Sequence, residues 1–229
     1  MEITHANRSK SENPLSERTR KNPWWIETML VDGIKSRPRY NGLSVNKSSR
    51  NHVFVADGDG VNAIADLFAV HSQDIGGHVT IVFAEHNEGK AEHAAPLESI
   101  SADSVHIMPS IPTAINRLAG VLHSARMGTQ IYASGTEALI GLTIQLAQAY
   151  GMDPQSVITE HRGSFARRVQ CVHCKGFTED VRTNIVECAH CRTNLLVRDH
   201  YSIRHAAFQG VCVDAEVPGD LPQVIEAFK

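Results

Sequence analysis

Two closely spaced cysteine pairs constrain this chain more than any other feature. The first pair is Cys171 and Cys174, the second is Cys188 and Cys191, and thirteen residues separate them. Each Cys-x-x-Cys turn directs two thiolates at one point, and the intervening loop brings the second pair to the other side of a tetrahedral ion. Four reduced thiols or two disulfides are the other interpretations, and nothing in the chain indicates the oxidising compartment that disulfides need. The spacing therefore predicts a metal site in a small four-cysteine module, either zinc-ribbon or rubredoxin-like.

The residues around the cysteines bear on which metal is bound. Four thiolates suit Zn²⁺, and they suit a single iron of the rubredoxin kind equally well. Rubredoxin turns usually carry a proline between the cysteines and a glycine after the second one, whereas Lys175 and Arg192 follow here. Bulky residues there crowd the amides that point at sulfur, so we favour structural Zn²⁺ and keep a single iron as the alternative.

Three further residues near the pairs need an interpretation. His173 and His190 lie between paired cysteines. We expect them to face solvent, and ligand exchange is the other possibility for them. Cys212 is the fifth cysteine and has no partner in the sequence, so we expect it to be a small core residue.

The length and composition of the chain limit the classes of protein to which it can belong. The chain has 229 residues, 42% hydrophobic and 21% charged, which is typical of a globular protein. No apolar run approaches the roughly 20 residues of a membrane helix, and residues 1–10 lack the apolar core of a signal peptide. We therefore expect a cytoplasmic protein that does not engage a membrane.

Charge is distributed unevenly along the chain. The formal net charge is −3, which argues against nucleic-acid binding by the whole chain. From Arg162 to Arg204, however, eight lysines and arginines stand against four acidic residues. This basic stretch is either a solvated surface or a docking face for an acidic partner or nucleic acid.

The chain divides into three parts. Residues 1–22 are polar and predict a flexible N-terminal arm. Residues 23–163 predict an α/β domain, and residues 164–229 hold the four-cysteine metal-binding module and a C-terminal tail. Trp24 and Trp25 mark where order is expected to begin, buried against the main domain or a partner subunit.

Apolar runs alternate with helical patterns across the middle part. Five short runs predict strands, at 53–56, 79–84, 104–108, 129–134 and 157–160. Continuous apolar strands separated by amphipathic helices are typical of βαβ units. The fold class is therefore α/β, with a five-stranded parallel, Rossmann-like sheet that carries helices on both faces.

Ligands of such sheets bind beyond the carboxyl ends of the strands. Five residues in the turns after the first and fourth strands are candidates for nucleotide binding: Gly58, Gly60, Ser134, Gly135 and Thr136. Ala63 replaces the third glycine of a G-x-G-x-x-G motif, and the carboxylates of Asp57 and Asp59 would repel a pyrophosphate. Ordinary strand-to-helix caps are the competing interpretation of both turns.

The sheet resembles the pyridine-nucleotide module of ferredoxin–NADP reductases. Residues 132–136, Tyr-Ala-Ser-Gly-Thr, are similar to that family's Y-x-C-G-P strand end, and Gly151-Met152 resembles the glycine-methionine after its last helix. Ser134 replaces the family's cysteine, and Thr136 replaces its proline. Only about 50 residues precede the sheet, too few for a flavin-binding barrel, so a self-sufficient flavin reductase is not expected.

A second resemblance covers roughly residues 24–229 and is most specific in the last third. Six segments carry it: ARRVQCVHC (166–174), TEDV (178–181), TNIV (183–186), VRDHYS (197–202), AAF (206–208) and DAEVPG (214–219). They resemble the DmmA-like subunits of bacterial dimethylamine monooxygenase. The resemblance implies a subunit of a system that uses NADPH and O₂ to convert dimethylamine to methylamine and formaldehyde. It also implies flavin and oxygen-activating partner subunits, with no flavin or haem on this chain alone.

The stretch after the cysteines predicts a short helix, with Asp199 as its cap and Gly210 as its end. Tyr201, His205 and Phe208 would then share a face packed on the sheet or the cysteine module. The alternative uses the neighbouring basic residues at a subunit or electron-transfer interface: Arg198, His200 and Arg204. The sequence shows no nucleophile–base–acid arrangement, so catalytic residues stay unassigned.

Three functions remain open from the sequence. The first is an oxygenase subunit that acts in subunit assembly or electron transfer, with NADPH as a possible ligand. The second is a zinc-ribbon nucleic-acid-binding or regulatory protein, although aromatic residues for base stacking are scarce near the cysteines. The third is a stand-alone nucleotide-dependent reductase, which the incomplete glycine motif disfavours.

Overall fold

The computed structural model describes residues 36–85 and 95–229. The predicted arm at residues 1–22, together with Trp24 and Trp25, lies outside the described residues. The described chain forms two five-stranded sheets, one after the other in sequence. None of the helices in these two ranges is both long enough and apolar enough to cross a membrane.

The first sheet is entirely parallel, with strand order β3-β2-β1-β4-β5. Its strands are β1 (Asn51–Asp57), β2 (His78–Ala84), β3 (Ser104–Met108), β4 (Thr129–Gly135) and β5 (Ile158–His161). Among the described residues, three α-helices connect strands of this sheet: α1 (Gly60–His71), α2 (Ile111–His123) and α3 (Glu137–Ala149). The strand order reverses between β1 and β4, which makes their carboxyl ends the crevice where such sheets bind ligands.

Alternate residues of β1 pack against helices on opposite faces of the sheet. Phe54 is buried in one core with Ile64 of α1. Val55 is buried in another core with Leu118 of α2 and Leu139 of α3. Because both faces of β1 are covered, its central residues, Val53 to Ala56, are all apolar and buried. The predicted parallel sheet with helices on both faces is confirmed.

The second sheet holds the cysteine pairs and has the order β7-β6-β10-β9-β8. Its strands are β6 (Arg167–Cys171), β7 (Phe177–Val181), β8 (Ile185–Glu187), β9 (Asn194–Ser202) and β10 (Ala207–Cys212). Strands β6 and β10 run parallel, and the other neighbours are antiparallel. The first sheet ends at His161 and the second begins at Arg167, so the boundary predicted between residues 163 and 164 falls in the connection between them.

The short helix predicted from Asp199 to Gly210 is wrong. The chain instead forms the hairpin of β9 and β10, turning between Ser202 and Ala207. Tyr201 and Phe208 lie directly opposite each other across this hairpin, with ring centroids 5.1 Å apart. A spacing of seven residues brings two side chains together on a helix, but a tight hairpin does the same, and the sequence does not distinguish the two.

Helix α3 packs directly on the second sheet through Gly141. A Cβ atom at Gly141 would lie 2.2 Å from the Tyr201 hydroxyl oxygen, so only a glycine lets the Tyr201 side chain reach the helix so closely. The Gln145 side-chain amide also donates to the Arg204 carbonyl over 2.8 Å. This contact positions the cysteine module against the helix that follows β4.

A buried arginine connects strands within the second sheet. Arg167 is 4% exposed and donates to Asp199 over 2.6 Å. Its guanidinium carbon lies 3.9 Å from the ring centroid of Phe208 and 3.8 Å from that of Phe228. Arg37 donates to the other oxygen of Asp199 over 2.6 Å. A guanidinium paired and stacked in this way is held in one orientation.

Candidate metal centre and the crevice of the parallel sheet

The four predicted cysteines meet at one point of the second sheet. Cys171 Sγ lies 3.8 Å from Cys191 Sγ, and Cys174 Sγ lies 3.7 Å from Cys188 Sγ. All four sulfurs lie within 4.8 Å of one another. A tetrahedron with zinc–sulfur bonds of about 2.3 Å has edges of about 3.8 Å, which both closest pairs match.

The two cysteine turns have the same backbone geometry. In the first, the Lys175 amide donates to the Cys171 carbonyl over 3.0 Å, and Lys175 has a φ of 64°. In the second, the Arg192 amide donates to the Cys188 carbonyl over 3.1 Å, and Arg192 has a φ of 63°. Left-handed backbone at a residue other than glycine is uncommon, and here it occurs at equivalent positions of both turns. The two matching turns lie opposite each other, which is the arrangement that four ligands of one tetrahedral ion need.

Strand ends hold these turns in place. The first turn connects β6 to β7, and the second connects β8 to β9. Cys171 and Cys188 are fully buried in a small core with Val169, Leu195 and Phe208. Cys174 is exposed, so one side of the sulfur cluster lies at the surface.

Hydrogen bonds and mutual repulsion set the protonation of the thiols. The Thr193 hydroxyl and amide lower the pKa of Cys191 to about 5, with His173 adding to the effect. The Gly176 amide favours the Cys174 thiolate, but desolvation and the three other thiols raise the pKa of Cys174 to about 12. Four thiolates this close repel one another, so a bound cation is what allows all four to lose their protons together.

The remaining histidine and cysteine predictions have mixed outcomes. His173 and His190 are exposed, as predicted. The His190 ring packs over Gly176, where an added Cβ would lie 2.5 Å from the ring, and its Nε2 atom lies 3.0 Å from the Phe177 carbonyl. Cys212 is only half-buried at the end of β10, with its sulfur 3.5 Å from Asp214, so it is not the core residue expected.

The five residues predicted to hold a nucleotide also come together, at the carboxyl ends of β1 and β4. The Ser134 hydroxyl donates to the Gly60 carbonyl over 2.8 Å, joining the two turns. Asp57, which is fully buried, accepts from the Thr136 amide over 2.7 Å and from the Thr136 hydroxyl over 2.6 Å. Nucleotide binding by these residues stays a prediction. Sequence reasoning treated Asp57 only as a source of repulsion and missed that it joins the two turns.

A cavity of about 480 Å³ lies beside this crevice. The first sheet contributes Gly58 and Thr136 to its lining, and the second sheet contributes arginines. Arg168 pairs with Glu179 over 2.8 Å. Arg182 lies 3.4 Å from Asp180. The arginines here have acidic partners within the chain, which favours the solvated-surface interpretation of the basic stretch over a docking face for nucleic acid.

Two family models match the chain. Residues 32–157 match the N-terminal domain, and residues 168–211 match the C-terminal domain, of the family described as dimethylamine monooxygenase subunit DmmA-like. The chain therefore belongs to the DmmA-like family of dimethylamine monooxygenase subunits, and the resemblance seen in its motifs is confirmed.

One curated relative is the heme-dependent oxidative N-demethylase delta subunit of Ectopseudomonas mendocina (strain ymp). The two chains are 32% identical over 110 residues, which is 48% of this chain and 63% of that protein. The aligned part of this chain thus spans less than two thirds of the length of that relative.

Among solved structures, similarity extends to reductases and oxygenases. The ferredoxin reductase of carbazole 1,9a-dioxygenase, in its FAD apo form, is 11% identical with a TM-score of 0.37, covering 49% of this chain and 32% of that one. An intact type IV self-sufficient cytochrome P450 monooxygenase is 19% identical with a TM-score of 0.37, covering 86% of this chain and 24% of that one. Ferredoxin-NADP⁺ reductase from Plasmodium falciparum is 14% identical with a TM-score of 0.33, covering 49% and 51%.

Proposed function

We propose that this chain is a subunit of a multicomponent, NADPH- and O₂-dependent dimethylamine monooxygenase, acting in subunit assembly or electron transfer. The single observation that carries the proposal is the match of both the sheet domain and the cysteine module to one subunit family. The relative from Ectopseudomonas mendocina is itself described as a subunit of an oxidative N-demethylase. The substrate, dimethylamine, and the partners, flavin and oxygen-activating subunits, are part of this proposal.

The four clustered cysteines fit a metal ion. They supply four sulfur ligands with tetrahedral spacing, buried on one side by apolar residues. We propose Zn²⁺ with a structural role, held by Cys171, Cys174, Cys188 and Cys191. A single iron is the alternative, and when bound it would supply one-electron redox chemistry. Four protein ligands leave no open coordination position, so the site would not bind substrate.

The geometry favours a supporting role over independent catalysis by this chain. The cysteine module is docked on α3 through Gly141 and through the hydrogen bond from the Gln145 amide to the Arg204 carbonyl. Metal binding at the cysteines would stabilise β6 to β9, and through the junction it would fix that surface relative to the parallel sheet. Such a fixed surface is suited to holding partner subunits.

Co-purification tests whether this chain is a subunit of the proposed complex. The chain, tagged and isolated from cells that express the whole multicomponent system, is expected to bring down flavin and oxygen-activating subunits. Deletion of this chain is expected to abolish or strongly reduce dimethylamine turnover. A chain that purifies alone, combined with unchanged turnover after its deletion, would remove the proposal.

The competing function, a zinc-ribbon nucleic-acid-binding protein, has its own test. Binding to DNA and RNA is measured at low and at moderate salt, because phosphate contacts weaken steeply with ionic strength. The proposal expects no salt-sensitive affinity, since the arginines beside the cavity are paired within the chain. Tight, salt-sensitive binding would favour the competing function instead.

A further inference from the structure

One histidine of the cysteine module contacts the turn on the opposite side of the sulfur cluster. His190 lies between Cys188 and Cys191 in the second turn. Its ring packs over Gly176, which follows the first turn, and its Nε2 atom lies 3.0 Å from the Phe177 carbonyl oxygen. A carbonyl oxygen can only accept a hydrogen bond, so Nε2 is the donor. His190 therefore connects the two turns that carry the four sulfurs.

We infer that His190 is a positioning residue of the proposed metal site, which clamps the second cysteine turn onto the first and thereby slows release of the ion. The inference rests on the proposed metal binding by the four cysteines. The contact that makes the clamp involves only residues of this chain.

Gly176 is the residue through which the clamp reaches the sulfurs. Its carbonyl accepts from the Cys171 amide over 2.9 Å, and its amide donates to Cys174 Sγ over 3.4 Å. A Cβ at Gly176 would lie 2.5 Å from a carbon of the His190 ring, so the ring packs in this position only because residue 176 has no side chain. A ring held against Gly176 therefore restrains the backbone that is bonded to both cysteines of the first turn.

The corresponding position of the second turn is built differently. Thr193 takes the place of Gly176 there, because its carbonyl accepts from the Cys188 amide over 2.9 Å. The side chain of Thr193 lies against its own turn, with the hydroxyl oxygen 3.3 Å from Cys191 Sγ. At position 176 the His190 ring, which comes from the opposite turn, fills the space that a side chain would take.

A second hydrogen bond joins the same two segments. The Ala189 amide donates to the Thr178 hydroxyl oxygen over 3.1 Å. Phe177 and Thr178 are the first two residues of β7, the strand that follows the first turn. The second turn is thus bonded to that strand at two successive residues, Ala189 and His190, which fixes the orientation of the turn as well as its distance.

The rate of zinc release tests the clamp. The chain is loaded with one Zn²⁺, and zinc released to an excess of chelator is followed with a zinc-sensitive dye. His190→Ala is expected to release zinc about 10-fold faster than the natural chain, because residues that hold metal ligands in place contribute about that factor to metal affinity. Equal release rates for the natural chain and His190→Ala would overturn the inference.

Two conservative variants and a control make this measurement specific. His190→Gln keeps an amide donor near the position of Nε2 and should restore most of the slow release, whereas the shorter side chain of His190→Asn should not. The control is His200→Ala, at an exposed histidine of β9, which should release zinc like the natural chain. Equally fast release from the Gln, Asn and Ala variants at position 190 would contradict a role for the Nε2 hydrogen bond.

A double-mutant cycle on the melting temperature tests the contact itself. Gly176→Ala and His190→Ala should each lower the melting temperature, the first because its methyl group displaces the ring. In the double variant, Gly176→Ala should cost little more, since the ring that it would displace is gone. Additive losses, or equal release rates in a zinc-loaded chain, would remove the clamp alone. A natural chain that takes up no zinc would remove the proposed metal site and the clamp together.

Discussion

At the scale of single residues, Arg167 is a charged side chain that the fold buries almost completely. Its guanidinium is buried, pairs with Asp199 and is stacked between Phe208 and Phe228. Burial lowers the pKa of Arg167, which the bond to Asp199 partly offsets. Taking a charge out of water is costly unless it is well paired, so this residue is stable only while its partners stay in place.

Replacing Arg167 should therefore cost more than replacing a surface arginine. Arg167→Met leaves Asp199 paired with Arg37 alone and is expected to lower the free energy of unfolding by about 3 kcal/mol. Arg162→Met removes the exposed pairs with Asp66 and Glu160 and should cost no more than about 1 kcal/mol. Urea denaturation of both variants gives the comparison, and equal losses would mean that the Arg167 pair contributes no more than a surface pair.

The buried His52 side chain should make the folding stability of this chain depend on pH. Its ring is fully buried in β1, its Nδ1 atom lies 2.9 Å from the Tyr132 hydroxyl, and burial lowers its pKa. The unfolded chain therefore takes up the proton first as pH falls. The contribution of neutral His52 to stability is present above the ordinary histidine pKa of about 6.5 and is lost as pH drops through that value toward the lower, folded one.

Denaturation midpoints between neutral and mildly acidic pH measure this effect. His52→Gln should show a flatter loss of stability on acidification than the natural chain. Identical slopes for the natural chain and for His52→Gln would show that His52 does not titrate between the folded and unfolded states.

At the scale of elements, the parallel sheet was predictable and the second sheet was less so. Short apolar runs mark β1 to β4 in the sequence, which is why these strands were placed within two residues of their ends. The β9–β10 hairpin was taken for a helix, because Tyr201 and Phe208 are seven residues apart in either structure. The grouping of the cysteines followed from their spacing. The bond between the two crevice turns could not be predicted in this way, because the partner of Asp57 is Thr136, 79 residues away in sequence.

Two glycines in helices provide a matched prediction about the junction. Gly141→Ala on α3 would bring a methyl group to within 2.2 Å of the Tyr201 hydroxyl, so Tyr201 must move, and we expect a loss of about 1–3 kcal/mol. Gly120→Ala on α2 meets nothing within 4 Å and should stabilise the chain by about 0.5–1 kcal/mol.

Thermal melting of the two glycine variants distinguishes these outcomes by the sign of the change. Opposite shifts are the expected result. If both variants melt higher than the natural chain, then helix propensity outweighs the contact at Gly141, and α3 does not depend on close packing against the second sheet.

At the scale of the whole molecule, the proposed metal ion ties the four strands that carry the cysteine turns into one unit. Cys174→Ser removes one of four ligands, and structural zinc sites contribute on the order of 10 kcal/mol to folding of small modules. We expect faster hydrogen exchange across β6 to β9 in this variant, with β1 and β4 still protected. The control, Cys212→Ser, lies outside the cluster and should exchange like the natural chain. Uniform exchange in all three proteins would show that the cluster does not stabilise the module.

The metal content of the purified full-length chain tests the central claim most directly. Elemental analysis should find one zinc, or one iron if the visible spectrum is coloured, for each chain. That metal should be lost from Cys174→Ser and Cys188→Ser and kept in Cys212→Ser. A natural chain without metal, or metal retained in full by both ligand variants, would contradict the account.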